Sequence, residues 1–203
     1  MMMTIVYLNG THHILAATSA SGDAAALIGQ DGLHLTSLRG VFPSPMPANR
    51  DYGPPPSGEE RFVIPSPELS VKQLPFDRAV IDQPYTFLAD ISTAVRLPPS
   101  TGERLLRVQL TSDYLRLATP VTGLVIPQIK FPVDHAVYIQ IEGLASWDRR
   151  VVRGVIQKND DTPFDFYLTA EPGGPLAPIA TGRRYYVLIM IEGFPPDERT
   201  IDL

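Results

Sequence analysis

Residues 136–144, AVYIQIEGL, put Val137, Ile139 and Ile141 on one side of an extended chain and Tyr138, Gln140 and Glu142 on the other. That period of two belongs to a β-strand, whose successive side chains leave on opposite faces. Similar runs recur along the chain. TIVYL (4–8) and HHILAAT (12–18) flank Asn9-Gly10, the residue pair that best marks a tight hairpin. GLHLTSL (32–38), LSVKQL (69–74), YTFLADISTAV (85–95), RLLRVQLT (104–111) and YLRLATPVTGLVIPQI (114–129) follow. RVVRGVIQK (150–158), DFYLTA (165–170) and RYYVLIMIEG (184–193) complete the series. Within 104–111, Leu106, Val108 and Leu110 alternate with Arg107 and Gln109, as in a strand with one wet face. Helices have little room. Gly22 and Gly29 confine the alanine run at 24–26 to a turn or so, short of stable helix length.

The expected fold is therefore all-β, an antiparallel β-sandwich or a jelly-roll-like double sheet. An internal echo accompanies it. VYIQIEGLASWDRR (137–150) and VLIMIEGFPPDERT (187–200) share Ile-Glu-Gly at an offset of 50 residues. Two equivalent strand ends in related halves of a sandwich would produce this pattern.

Residues 43–67 break the series, with prolines at 43, 45, 47, 54, 55, 56, 65 and 67. Proline has no N–H and a fixed φ, which excludes it from central strands and helix interiors. The segment is read as a long proline-rich loop or arm on a single domain spanning 1–203. The other division open to the sequence is a hairpin region, 1–42, joined by this segment to a main β domain, 68–203.

Composition narrows the function classes. The 203 residues hold no cysteine, which removes disulfides, thiolate metal sites and thiol nucleophiles. Glycine and proline make up 36 residues, and charged residues 19%. A net charge of −5 without a basic block does not suit nonspecific binding to nucleic acid, which rests on neutralising many phosphates. No run approaches the roughly 20 apolar residues of a membrane span. The N-terminal stretch lacks a basic region, and Asn9-Gly10 and His12-His13 interrupt it, unlike a signal peptide. The expected location is cytoplasmic by default, with assembly into a particle or an exported complex equally compatible.

No metal or cofactor site is expected. His12 and His13, adjacent on a strand, point to opposite faces, while His34 and His135 stand alone. Asn159-Asp160-Asp161 reads as a turn, because the spacing and glycine of a calcium loop are missing. GxSxG, HExxH and GxxxxGK[ST] are absent, so no catalytic residue is assigned. An enzyme, most readily a hydrolase with dispersed Asp, Glu and His, ranks last.

The aromatic residues beside arginines are the candidate contacts: Tyr52, Trp147 with Arg149 and Arg150, and Arg183-Arg184 followed by Tyr185-Tyr186. Such pairs are common at interfaces and in sugar sites, although alternation must turn one of two successive tyrosines inward. Arginine outnumbers lysine 14 to 3, which favours multi-donor contacts held in place. The function expected first is a noncatalytic structural or adaptor subunit of a larger assembly, of virion, tail or secretion type. It would act by self-association or with protein partners. The alternative is a carbohydrate- or small-ligand-binding β domain.

Overall fold

The computed structural model describes residues 1–19, 28–29, 32–36, 60–98, 107–118, 133–143, 148–160, 163–171 and 173–203. They form several antiparallel sheets with almost no helix, an all-β chain. The chain divides into two compact units. The first comprises Met1–Gly102 and returns for Gly193–Glu198, and the second comprises Glu103–Glu192 and Arg199–Leu203.

In the first unit, β1 (Met2–Leu8) and β2 (Ile14–Thr18) form the hairpin expected around Asn9-Gly10. Its turn is longer than two residues. Gly10 and His12 both have positive φ, and His12 N donates to Leu8 O at 2.9 Å. His12 therefore lies in the turn, exposed, while His13 is buried. β3 (Leu33–Thr36) pairs with β4 (Glu60–Ile64). This corrects the reading of 43–67 as one arm, because Phe62 and Ile64 are fully buried. Pro65 and Pro67 merely close the strand, and the arm reading for 43–59 falls outside the described residues.

β5 (Leu69–Pro75) completes the order β2-β1-β5. Next comes a one-turn helix, α1 (Arg78–Asp82), whose N-cap Asp77 accepts from Ala79 N at 2.8 Å. Pro84, just beyond it, discourages further helical turns. The run at 85–95 is a small hairpin of β6 (Phe87–Ala89) and β7 (Ala94–Arg96) instead of one strand. Met3, Ile5, Ile14, Leu74, Val80, Phe87 and Ala89 form one core cluster of this unit.

The second unit contains β8 (Arg107–Leu110), β9 (Tyr114–Ala118), β10 (His135–Glu142), β11 (Arg150–Ile156), β12 (Phe164–Tyr167) and β13 (Arg184–Ile191). β14 (Asp197–Asp202) pairs with β13, giving the order β11-β10-β13-β14, and a second sheet has the order β12-β9-β8. The long central strands β10 and β13 are buried on both faces over most of their length. Fully burying each of Ile139, Ile141, Val187, Leu188, Ile189 and Met190 contributes about 1.5–3 kcal/mol. The two Ile-Glu-Gly copies end these neighbouring strands. They lie in one sheet, not in separate halves of a sandwich.

Candidate functional site

The buried even-numbered face of β10 carries a polar chain. Tyr138 Oη donates to Gln140 Oε1 at 2.8 Å, and Gln140 Nε2 donates to Glu142 Oε1 at 2.5 Å. Arg149 Nε reaches the same carboxylate oxygen at 2.6 Å. Burial, reinforced by the Glu142 charge, pushes the Tyr138 phenol above its ordinary pKa. The phenol accordingly stays protonated and donating. Beyond the strand end, Asp148 is 1% exposed and accepts from Arg183 Nη1 at 2.8 Å. Gly143 makes room for it: a Cβ there would lie 2.5 Å from the Asp148 Cβ.

The arginines singled out from the sequence are thus fastened to their own chain. Arg149 holds Glu142, Arg183 holds Asp148, and Arg184 Nε donates to Asp202 Oδ1 at 2.8 Å. Arg150 donates to the carbonyls of Ala177 and Arg149 at 3.0 and 2.7 Å. Tyr185 is fully buried, with its hydroxyl donating to Ala180 O at 2.7 Å. It is a packing residue and cannot serve as an exposed contact. Tyr186, on the opposite face, lines a concavity of about 460 Å³ with Gly182, Arg183, Arg184, Asp202 and Leu203. The structure therefore brings Arg183, Arg184 and Tyr186 together, with Arg149 and Arg150 placed on other partners. Tyr52 and Trp147 lie outside the described residues.

The histidines are also built into the framework. His13 is enclosed between Thr11 Oγ1, 3.0 Å from Nδ1, and Phe194 O, 2.7 Å from Nε2. A carbonyl can only accept, so Nε2 carries the proton and Nδ1 accepts from the threonine hydroxyl. Burial lowers the His13 pKa to about 4, against the smaller raising effect of the Phe194 hydrogen bond. His135 Nδ1 lies 2.8 Å from Glu192 O. Asp160 N closes a turn on Gln157 O, with Asn159 at positive φ. Among the described residues, no group of three His, Asp or Glu side chains is placed to hold a metal ion.

A more open surface lies on the β12-β9-β8 sheet, at residues not marked as contacts from the sequence. Cross-strand register sets Tyr114 opposite Tyr167, and Arg116 opposite both Asp165 and Gln109. Residues directly opposite one another share a face. Tyr114, Arg116, Asp165, Tyr167, Arg107 and Gln109 therefore share the outer face, while Leu110, Leu115, Leu117, Phe164 and Phe166 are buried behind it. Arg116 grips Asp165 side-on, Nε to Oδ1 and Nη2 to Oδ2, both at 2.7 Å. This bidentate bond raises the guanidinium pKa and holds the Asp165 carboxyl below its ordinary value. The guanidinium carbon also sits 5.2 Å from the Tyr114 ring centre, and the two tyrosine rings meet edge-on at 6.1 Å. Tyr167 remains 57% exposed.

Compared with known proteins, the chain matches no family model, no curated protein and no solved structure. Among the described residues, no helix is long and apolar enough to cross a membrane.

Proposed function

We propose that the chain is a noncatalytic structural or adaptor subunit of a larger assembly, of virion, tail or secretion type, working through protein contacts or self-association. The observation that carries this reading is where the arginine charge goes. Arg149 and Arg183 each hold a buried carboxylate, and Arg184 holds a third acid beside them. Polar groups committed to fixing strand ends suit a rigid scaffold better than a reacting centre, which needs groups poised toward substrate. The two sheets of the second unit are taken to stack as a sandwich, supported by the Phe166 ring against Gly154. β5 and β11 end the strand orders of their sheets and carry the exposed apolar side chains Val71 and Val155. Such edges favour pairing with further chains.

Light scattering across a wide concentration range tests this function. A discrete oligomer or a concentration-dependent assembly is expected. A chain that stays monomeric at high concentration and keeps every property after deletion of 43–59 would overturn it.

A further inference from the structure

We infer that the outer face of the β12-β9-β8 sheet binds a neutral polysaccharide, with Tyr167 as the stacking surface and the Arg116–Asp165 pair as the hydroxyl clamp. Three features carry this. First, the exposed Tyr167 ring is braced edge-on by Tyr114, itself fixed beneath the Arg116 guanidinium. A sugar ring presents an apolar C–H face of similar size, and tyrosine offers an apolar body with a polar tip. Second, the side-on pair uses Nε and Nη2 of Arg116, which keeps the Nη1 donors outside it and near the carboxylate acceptors. Gln109 adds an amide in the same cross-strand row. Neighbouring donors and acceptors match vicinal hydroxyls, which need both.

Third, the Arg116 and Asp165 charges cancel within the clamp, so recognition by that pair is directional and not a matter of net attraction to an anion. Beside Asp165 lies a concavity of about 290 Å³ formed with Val155, Asp160 and Pro163. Its size suits one sugar unit, whereas the open sheet face would carry the continuing polymer.

Apart from Val155, this inference stands on residues separate from those that carry the structural reading, and its test is separate too. Affinity electrophoresis through gels containing β-1,3-glucan, β-1,4-glucan, mannan or α-glucan, with pull-down on insoluble chitin, would be run on the intact chain. At least one polysaccharide should retard or capture it. Tyr167→Ala should weaken that binding about tenfold, Arg116→Gln comparably, and Tyr167→Phe little, with unchanged circular dichroism and melting temperature. Failure of the chain to bind any of these polymers would overturn the inference, as would undiminished binding by both weakened variants. An oligomer that dissociates on Tyr167→Ala would reassign this face to subunit contact, also overturning it while leaving the structural reading intact.

Discussion

Ile139 of β10 lies directly opposite Ile189 of β13, and the two are separated by the same 50 residues that separate the Ile-Glu-Gly copies. Each residue's cross-strand partner at this point is its own counterpart in the echo. On either side of it, Val137 lies opposite Ile191, the counterpart of Ile141, and Ile141 lies opposite Val187, the counterpart of Val137, so these two pairs exchange with one another. The repeat is therefore a local pseudo-twofold, with its axis through the Ile139–Ile189 pair, and the β10–β11 and β13–β14 hairpins extend from it on either side. Equivalence in position predicts equivalence in energy. Ile139→Ala and Ile189→Ala should each cost about 2–5 kcal/mol, measured by urea denaturation. A cost below about 1 kcal/mol for one and not the other would refute the shared core position.

His13 makes stability depend on pH. The unfolded chain takes up a proton near pH 6.5, while the folded chain resists until about pH 4. The unfolded state thus binds more protons in that window, and stability falls as pH drops through it, by about 3 kcal/mol in total from this group. Above pH 6.5 the group contributes no slope. Denaturation at closely spaced pH values should show this decline in the wild type and a shallower one in His13→Gln. Parallel profiles would show that His13 is not its source.

Arg183 and Asp148 form an unequal pair, with side chains 39% and 1% exposed. Arg183→Met leaves the carboxylate buried without this cation. Water reaching the guanidinium side moderates the cost, expected at about 2–3 kcal/mol. Adding Asp148→Asn to that variant should restore part of the loss. A double variant less stable than Arg183→Met alone would show that the carboxylate has adequate support from other groups.

Gly154 lies beneath Phe166, whose Cε1 would be 2.7 Å from an added Cβ. Gly154→Ala should therefore cost about 1–3 kcal/mol by overpacking. Combining it with Phe166→Leu, which vacates the ring position, should recover part of that in thermal melts. Additive losses would mean that the strain lies elsewhere.

β10 and β13 were readable because β-branched residues at period two dominate both, and almost every side chain there is buried. Other elements are hidden by their own composition. β14, DERTID, is a polar edge strand behind Pro195-Pro196, and β4, ERFVI, sits between prolines that suggest a loop. The β6–β7 hairpin turns at Asp90-Ile91-Ser92-Thr93, with no glycine to announce it. The site residues divide in the same way. Tyr185 turned inward and Tyr186 to the other face, as alternation requires. The Tyr114–Tyr167 and Arg116–Asp165 pairs depend on a register joining segments about 50 residues apart, which neither segment displays alone. The alternation of Tyr114 and Arg116 with Leu115 and Leu117 marks an exposed face, but not the second strand that completes it.

The return of Gly193–Glu198 to the first unit has a consequence for biosynthesis. The carbonyl that accepts the His13 hydrogen bond is 181 residues downstream. A growing chain can assemble the β2-β1-β5 sheet early, yet must hold the imidazole without that acceptor until Phe194 has been made. Closing so long a loop is slow and leaves partly folded intermediates exposed. Completion of the first unit thereby waits for Gly193–Glu198, so a chain that stops before Phe194 would carry a defect near its first turn.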